Sequence, residues 1–202
     1  MLGEAKMAGE LGTRVIRAKK APLSWRIKNI LRWMYLKGWF AHSVVRPIAN
    51  FFGLATMIGK LEARLIKKDG SVTNYGILGY RVVTTAFVNF MVDQLQAETS
   101  EWGDFKYHDS GIGTTNEAVG DTDIETSDEE DRVAGTQTEG DANQYRSVGT
   151  ISYTTTKAIT EHGLFSQSSG TTLMDRTKFS AINVVNGDSI QFTYTLTCTA
   201  GS

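Results

Sequence analysis

The chain is poor in cysteine and proline, and it lacks the motifs of common catalytic sites. Its 202 residues include one cysteine, Cys198, so no disulfide can form within the chain and a reducing compartment is favoured. The two prolines, Pro22 and Pro47, both lie in the first quarter of the sequence. There is no G-x-S-x-G nucleophile motif, no phosphate-binding loop and no run of metal-ligating residues. We therefore expect a protein without enzymatic activity, bound metal or cofactor.

The three histidines give no better indication of chemistry. His42, His108 and His162 are far apart and do not have the spacing of metal ligands. His108 is followed by Asp109 and Ser110, which suggests a Ser-His-Asp site at first sight. Neighbouring residues of a strand point to opposite faces, however, so three consecutive side chains cannot converge on one substrate.

Long hydrophobic runs are also missing. The longest apolar stretch, residues 47–59, has 13 residues and is too short to span a bilayer. The first twelve residues are polar and lack the apolar core of a secretory signal. We therefore expect a soluble protein, or one that is assembled into a large particle.

Charge is distributed unevenly along a chain whose formal net charge is −1. Residues 1–46 carry ten Lys or Arg against two Glu, whereas residues 117–131 carry eight acids and no base. Such asymmetry is typical of segments that interact with a partner. The acidic residues of interest are Asp121, Asp123, Glu125, Asp128, Glu129, Glu130 and Asp131.

Calcium is the obvious ligand for such an acidic run, because hard cations prefer clustered oxygen atoms. The EF-hand pattern fails, since its sixth position is Thr126 rather than Gly and its twelfth is Arg132 rather than Glu. We interpret the run as a solvated loop or as the electrostatic partner of a basic neighbour. In an assembly, the basic segment of an adjacent copy could be that neighbour.

The end of the chain carries the clearest structural signal. Residues 189–199 alternate between apolar and polar positions, a period of two that predicts a half-buried strand. The apolar face holds Ile190, Phe192, Tyr194, Leu196 and Cys198. We expect Cys198 to behave as a small core residue on this face.

Other segments predict more strands and one helix. Strands are predicted at 60–68 and 71–83 around an Asp69-Gly70 hairpin turn, near 102–108, and at 144–154, 158–166 and 171–179. Residues 84–98 switch to helical spacing, with Thr84 or Thr85 as the N-cap. Residues 109–143, here called the acidic loop, are rich in Gly, Thr and acids. The pattern predicts a mainly β protein, a β-sandwich or partly open barrel with one packed helix.

The first 59 residues predict a separate α-helical arm, followed by the β-rich domain at 60–202. A helix is expected at 22–37, opened by Pro22 or Ser24 and ended at Gly38, and a second at 42–57, kinked at Pro47. Aromatic and basic residues alternate here, which suits protein docking, an amphipathic helix on a membrane, or nucleic acid. We favour docking; membrane contact and packing on the β-domain follow, and nucleic acid is the weakest interpretation. The candidate docking residues are Trp25, Arg26, Ile30, Arg32, Trp33, Trp39, Phe40, Phe51 and Phe52.

Four blocks of the β-rich part resemble a known group of proteins. They are SGIGTTNEAVGDTDIE (110–125), RVAGTQTEGDANQYRSVGTISY (132–153), AITEHGLFS (158–166) and LMDRTKFSAINVVNGDSIQFTYTLT (173–197). In this order they resemble a family of structural proteins of tailed-bacteriophage virions and their prophage-encoded relatives. The likeness covers roughly residues 60–202, and the arm lies outside it.

This resemblance implies a β-rich structural component without enzymatic activity, located in the virion and, during assembly, in the host cytoplasm. We expect a capsid cement or decoration protein that is anchored by its arm, forms a homo-oligomer, and binds the major capsid protein or another virion protein. A tail or head–tail connector component is the alternative within this class. A membrane-associated protein that uses residues 22–59, or a carbohydrate-binding β-module, is the alternative from other classes.

Overall fold

The computed structural model describes residues 18–35, 41–52, 55–81, 83–96, 105–128, 131–170 and 172–199. The chain is mainly β, as predicted, and its strands form two sheets. The strands are β1 (Lys19–Lys20), β2 (Thr56–Ile66), β3 (Val72–Arg81), β4 (Tyr107–Gly111), β5 (Val133–Ala134), β6 (Thr136–Glu139), β7 (Gln144–Ser152), β8 (Lys157–Phe165), β9 (Leu173–Val184) and β10 (Ser189–Thr199). The helices are α1 (Leu23–Tyr35), α2 (Arg46–Phe51), which follows a π-helical turn at Ala41–Val45, and α3 (Thr85–Gln96).

The two sheets share one apolar core. The first sheet has the order β1-β3-β2-β10-β7-β6, and the second has the order β5-β4-β8-β9. Leu61 and Phe192 of the first sheet belong to the same buried cluster as Leu164 and Ile182 of the second. The core therefore lies between the sheets, and burial of its side chains is the main apolar contribution to folding.

The predicted hairpin between β2 and β3 is confirmed. Gly70 has a φ of 78°, which glycine adopts without steric cost, and its N–H donates to the carbonyl of Lys67 over 2.8 Å. The carboxylate of Asp69 accepts from the N–H of Ser71 over 2.8 Å. The hydrogen bonds from Ser71 are the main cause of the lowered pKa of Asp69. Turn chemistry thus fixes the register of the first two long strands.

The alternation in the last strand is confirmed with two exceptions, Thr195, which is buried on the polar face, and Cys198. β10 pairs with β2 along its whole length and with β7 from Ser189 to Thr197. Its residues Ile190, Phe192, Tyr194 and Leu196 are buried in the core. Cys198 is exposed, so its prediction as a core residue is wrong. The buried apolar positions of β10 end at Leu196, and Cys198 lies beyond them.

Three predicted boundaries also need correction. The helical stretch expected to reach Met57 ends at Phe51, because residues from Thr56 onward pair with the end of β10. The strand expected at 171–179 continues to Val184, because its second half pairs with Lys157–Ile159 of β8. The acidic loop is not free of strands, since it contains the end of β4 and the short strands β5 and β6. β5 pairs with β4 and β6 pairs with β7, so the chain passes from one sheet to the other at Gly135.

The acidic loop covers the outer face of the second sheet. Ile124 from the loop packs with Phe165 and Leu173 in a second, smaller apolar cluster, against which Tyr107 also lies. Because the first sheet covers the inner face, β8 is buried on both sides. This explains why Glu161 through Phe165 are all buried, in a strand that would otherwise have one solvent-exposed face.

The predicted packed helix is α3, and Thr84 is its N-cap. The hydroxyl of Thr84 accepts from the N–H of Phe87 over 3.2 Å, the geometry of an N-cap bond. Phe87 is buried and packs edge to face on Phe105, with ring centroids 5.0 Å apart. The opposite side of α3 exposes Val88 and Val92. No helix in the described ranges is long and apolar enough to cross a bilayer.

Candidate functional site

Glu161 of β8 is the centre of a polar network under the acidic loop. Its carboxylate is fully buried and accepts four hydrogen bonds. Oε1 accepts from the N–H groups of Gly113 (2.9 Å) and Thr126 (2.8 Å). Oε2 accepts from the N–H of Glu125 (3.0 Å) and from Nε of Arg176 (2.8 Å). A buried carboxylate is stable only when it is paired and hydrogen-bonded, so Glu161 fixes the loop backbone onto β8.

Arg176 of β9 connects this carboxylate to the acids of the loop. Its Nη1 lies 3.0 Å from Oδ2 of Asp121, and its Nη2 lies 3.4 Å from Oε2 of Glu125. Burial lowers the pKa of Arg176, but the hydrogen bonds with Asp121 and Glu161 outweigh burial, and its pKa is raised. Arg176 therefore stays cationic, and three carboxylates share its charge.

Arg132 makes a second clamp at the other end of the loop. Its guanidinium lies 3.4 Å from the ring centroid of Phe165 and donates to the carbonyl of Gly170 over 2.7 Å. The same group lies 3.3 Å from carboxylate oxygens of Asp109 and of Asp123. Burial raises the pKa of Asp109 to about 6, although its hydrogen bond with Arg132 acts in the opposite direction. Arg132 thus connects the acidic loop to the β8–β9 turn.

These contacts locate the acidic residues of interest. Asp121 and Glu125 bind Arg176, Asp123 binds Arg132, and Asp128 accepts a hydrogen bond from the hydroxyl of Ser110. Asp131 is exposed, and Glu129 and Glu130 lie outside the described residues. The basic neighbours of Asp121, Asp123 and Glu125 are thus arginines of the same chain. Among the described residues, no group of three or more His, Cys, Asp or Glu side chains has a geometry that could hold a metal ion.

A second polar group lies between the two sheets. Nδ1 of His108 is 2.9 Å from Nε2 of His162, and Nε2 of His108 is 2.9 Å from the hydroxyl of Ser147. Burial lowers the pKa of His108 to about 3, so the imidazole is neutral at physiological pH. Gly149 and Gly135 face this ring closely, since a Cβ at either position would come within 2.8 Å of a ring atom. The pair is therefore enclosed by backbone.

The His108–Asp109–Ser110 sequence is divided between the two faces of β4. Ser110 binds Asp128 and lies 3.0 Å from the hydroxyl of Tyr153, whereas Asp109 binds Arg132. His108, by contrast, binds His162 and Ser147. The three side chains therefore do not converge, as the alternation of strand residues led us to expect.

Helix α1 of the predicted arm packs on the β-rich part. Nε1 of Trp25 donates to the carbonyls of Ser180 (3.0 Å) and Ala181 (3.1 Å) in β9. Asn29, one turn later, is buried and donates to the carbonyls of Ile77 (3.1 Å) and Leu78 (3.0 Å) in β3. Helix α1 thus bridges an edge strand of the second sheet and β3 of the first. Its side chains donate to backbone carbonyls that an uncovered edge strand would leave without a hydrogen-bond partner.

The other candidate docking residues are distributed over several places. Arg26 and Ile30 are exposed on α1, and Phe51 and Phe52 are 78% and 70% exposed at the end of α2. The rings of Phe51 and Phe52 contact each other edge to face, 5.4 Å apart. Arg32 and Trp33 fall in the second half of α1, and Trp39 and Phe40 lie outside the described residues.

Sequence reasoning missed the residues that organise both regions. Glu161, Arg176, Arg132 and Asn29 were not among the candidates, although all of them fix one element onto another. One signal was available for Glu161, since it stands in a predicted strand next to apolar residues. Its partners Gly113 and Thr126 are distant in sequence, and only the fold brings them together.

Comparison with known proteins does not add a family to this description. Protein-family models, curated proteins and solved structures were each searched, and none of them matches the chain.

Proposed function

We propose that the chain is a non-enzymatic structural protein of a tailed-phage particle, and within that class a capsid cement or decoration protein. In this proposal, the two sheets form a β-sandwich that stands on the particle surface. The N-terminal residues attach it to the major capsid protein or to another virion protein. Several copies associate, and each covers a junction between neighbouring subunits. The motif order at 110–197 supports this class through its resemblance to virion proteins.

The observation that carries the proposal is the exposure of Phe51 and Phe52. Phe51 and Phe52 are adjacent, and each exposes more than two thirds of its surface. An exposed apolar patch of this kind marks a surface that binds a partner. Val45 and Ile48 are also exposed, and they precede the two rings on the same short helical segment. Burial of one such side chain contributes roughly 1.5–3 kcal/mol, so a partner that covers these residues would gain substantial affinity.

The polar interior supports a structural role in another way. The Glu161–Arg176 network and the His108–His162 pair are buried and join side chains of neighbouring strands. Such networks fix one arrangement of the loop and the two sheets. A rigid domain with an apolar anchoring segment suits a component that strengthens an assembled shell.

The test is the copy number of the chain in purified particles, measured by quantitative mass spectrometry. Hundreds of copies per particle, close to the number of capsid subunits, would support a cement or decoration protein. A small multiple of three or six would support the alternative, a tail or head–tail connector component. Absence from purified particles would refute the proposal.

A further inference from the structure

A cleft lies between helix α1 and strand β3. Its volume is about 350 Å³, and its walls are formed by Trp25, Ile30, Tyr75 and Ile77. Lys20 and Arg26 also line it and are both exposed. The cleft thus combines an apolar interior with two cationic groups at its margin.

The walls of this cleft are held in place by hydrogen bonds and ring contacts. Trp25 donates to two carbonyls of β9 and meets Tyr75 edge to face, with ring centroids 4.6 Å apart. Asn29 ties the next turn of α1 to β3. A ligand would therefore find the cleft already formed and would not have to order its walls, which favours binding.

The surroundings of the cleft are cationic to an unusual degree. The sequence contains no Asp or Glu between Glu10 and Glu62. Within the described part of the chain, no carboxylate lies in ion-pair distance of Lys20 or Arg26. These charges are available to a ligand, and carboxylates complement both ammonium and guanidinium groups.

We propose that the cleft binds a peptide segment of a partner protein, in which an apolar side chain is flanked by acidic residues. The apolar side chain packs in the cleft against Ile30, Tyr75 and Ile77. The flanking carboxylates meet Lys20 and Arg26. The inference rests on the proposed function only in assuming that the N-terminal residues meet a partner protein. It adds the chemistry of that partner.

The shape of the cleft favours a peptide over the two other partners of a basic, aromatic surface. A bilayer presents a broad surface and cannot enter a concave site of this size. Stacking of a nucleic-acid base needs an open aromatic face. Trp25 is half-buried, with its indole N–H turned to β9 and Tyr75 edge to face against it.

The test is a titration of the isotope-labelled full-length chain, followed through the indole N–H resonance of Trp25. The Trp25→Phe variant assigns this resonance by its disappearance. The probe is acetyl-Glu-Leu-Glu-amide, and acetyl-Gln-Leu-Gln-amide is its neutral control, both at about 0.15 M salt, where charges beyond roughly 8 Å are screened. We expect the acidic peptide to shift the resonance in a saturable way. The neutral peptide should bind roughly five- to thirty-fold more weakly, as two exposed charge contacts allow.

Two double variants localise the charge effect. Lys20→Ala with Arg26→Ala should remove the preference for the acidic peptide. Lys19→Ala with Lys28→Ala removes two exposed bases of the same segment that do not line the cleft, and should change affinity by less than about twofold. Equal binding of the two peptides, no shift with either, or equal effects of the two double variants would overturn the proposal.

Two further probes and the choice of assay separate the alternatives. A shift caused by phosphatidylglycerol vesicles or by a single-stranded oligonucleotide, with the acidic peptide silent, would replace the peptide by that ligand and overturn the proposal. The titration uses no particles, so it is independent of the copy-number measurement. If the chain is abundant in particles but the peptide does not shift the Trp25 resonance, the proposed cleft site is wrong and the proposed function stands. If the chain binds the peptide but is absent from particles, the proposed function is wrong and the cleft site stands.

Discussion

Nε of Arg176 lies 2.8 Å from Oε2 of Glu161, and both side chains are buried between the second sheet and the acidic loop. The two residues stand on neighbouring strands, where Gly163 of β8 is the direct partner of Arg176. Glu161 also holds the loop backbone through Gly113 and Thr126. This ion pair, together with the contacts of Arg132, holds the acidic loop over the outer face of the second sheet.

Glu161→Gln should destabilise the chain strongly. The amide keeps the shape of the side chain but leaves Arg176 with one fewer carboxylate in a buried site, which costs about 3–5 kcal/mol of unfolding free energy. Urea denaturation measures this loss of unfolding free energy. The matched control is Glu62→Gln, which breaks the part-exposed pair with Lys60 and should cost less than about 1 kcal/mol. Similar losses in the two variants would show that Glu161 does not act as a clamp.

Asp109 should make stability fall as the pH rises through the weakly acidic range. Its pKa in the folded chain is about 6, above the ordinary value of 3.8, so the folded chain binds this proton more tightly than the unfolded chain. The stabilising contribution of Asp109 is therefore complete below about pH 4 and lost as the pH rises through 6. Asp109→Asn should remove this component, so the difference in unfolding free energy between the two chains should change between pH 4 and pH 6.5. A pH-independent difference would contradict the assignment.

Gly149→Ala should disturb the contact between the two sheets. The added Cβ would lie 2.5 Å from Cδ2 of His108, and the ring is held by His162 and Ser147. Such overpacking costs about 1–3 kcal/mol. Gly120→Ala is the control, because nothing lies within 4 Å of its added Cβ and its φ is not in the left-handed region. Thermal unfolding should separate the two variants, and equal melting temperatures would show that the ring can move aside.

Phe192→Ala and Thr193→Ala should differ sharply although the residues are adjacent. Phe192 is fully buried and contacts the rings of His162 and Phe179, so its truncation should cost about 3–5 kcal/mol. Thr193 is half-buried on the outer face of the first sheet. Its substitution should lower the unfolding free energy by less than about 1 kcal/mol. Denaturant melts of the two variants test the register of β10. Equal, small effects would contradict it.

Periodicity and turn chemistry account for much of the fold. The strict alternation at 189–199 and the Asp69-Gly70 turn predict two strands and a hairpin that the structure contains. The same rules also predict β8, but they do not show that both of its faces are buried, because the acidic loop covers the outer face only in the folded chain. Loop 109–143 looks unstructured in sequence, because its order depends on residues that only the fold brings together. Glu161 and Arg176 hold it from β8 and β9, and its own Arg132 contacts Phe165 and Gly170.

The candidate site was predictable only in part. A basic, aromatic N-terminal segment is visible in composition, and it led to Trp25, Arg26 and Ile30, all of which line the cleft. Composition did not show that Asn29 would bridge α1 to β3, because a single asparagine on a helix gives no pattern. Nor did it show how α1 packs on the β-rich part, where Trp25 and Asn29 donate to backbone carbonyls of β9 and β3.

Attachment through the N-terminal residues is best tested by substitution rather than by deletion. Removal of residues 1–58 would take away α1 and also Thr56, Met57 and Ile58, which pair with the end of β10. Phe51→Ser with Phe52→Ser changes only exposed side chains, so the chain should fold and melt as the wild type does. Val88→Ser with Val92→Ser changes two exposed apolar residues on α3 and serves as the matched control.

The most direct measurement is therefore the amount of each double variant in purified particles, relative to the wild-type chain. If Phe51 and Phe52 are covered by a virion protein, their loss removes roughly 3–6 kcal/mol of binding energy, and incorporation should fall at least about tenfold. The Val88 and Val92 variant should be incorporated at the wild-type level. Wild-type incorporation of the Phe51 and Phe52 variant would contradict attachment through these residues.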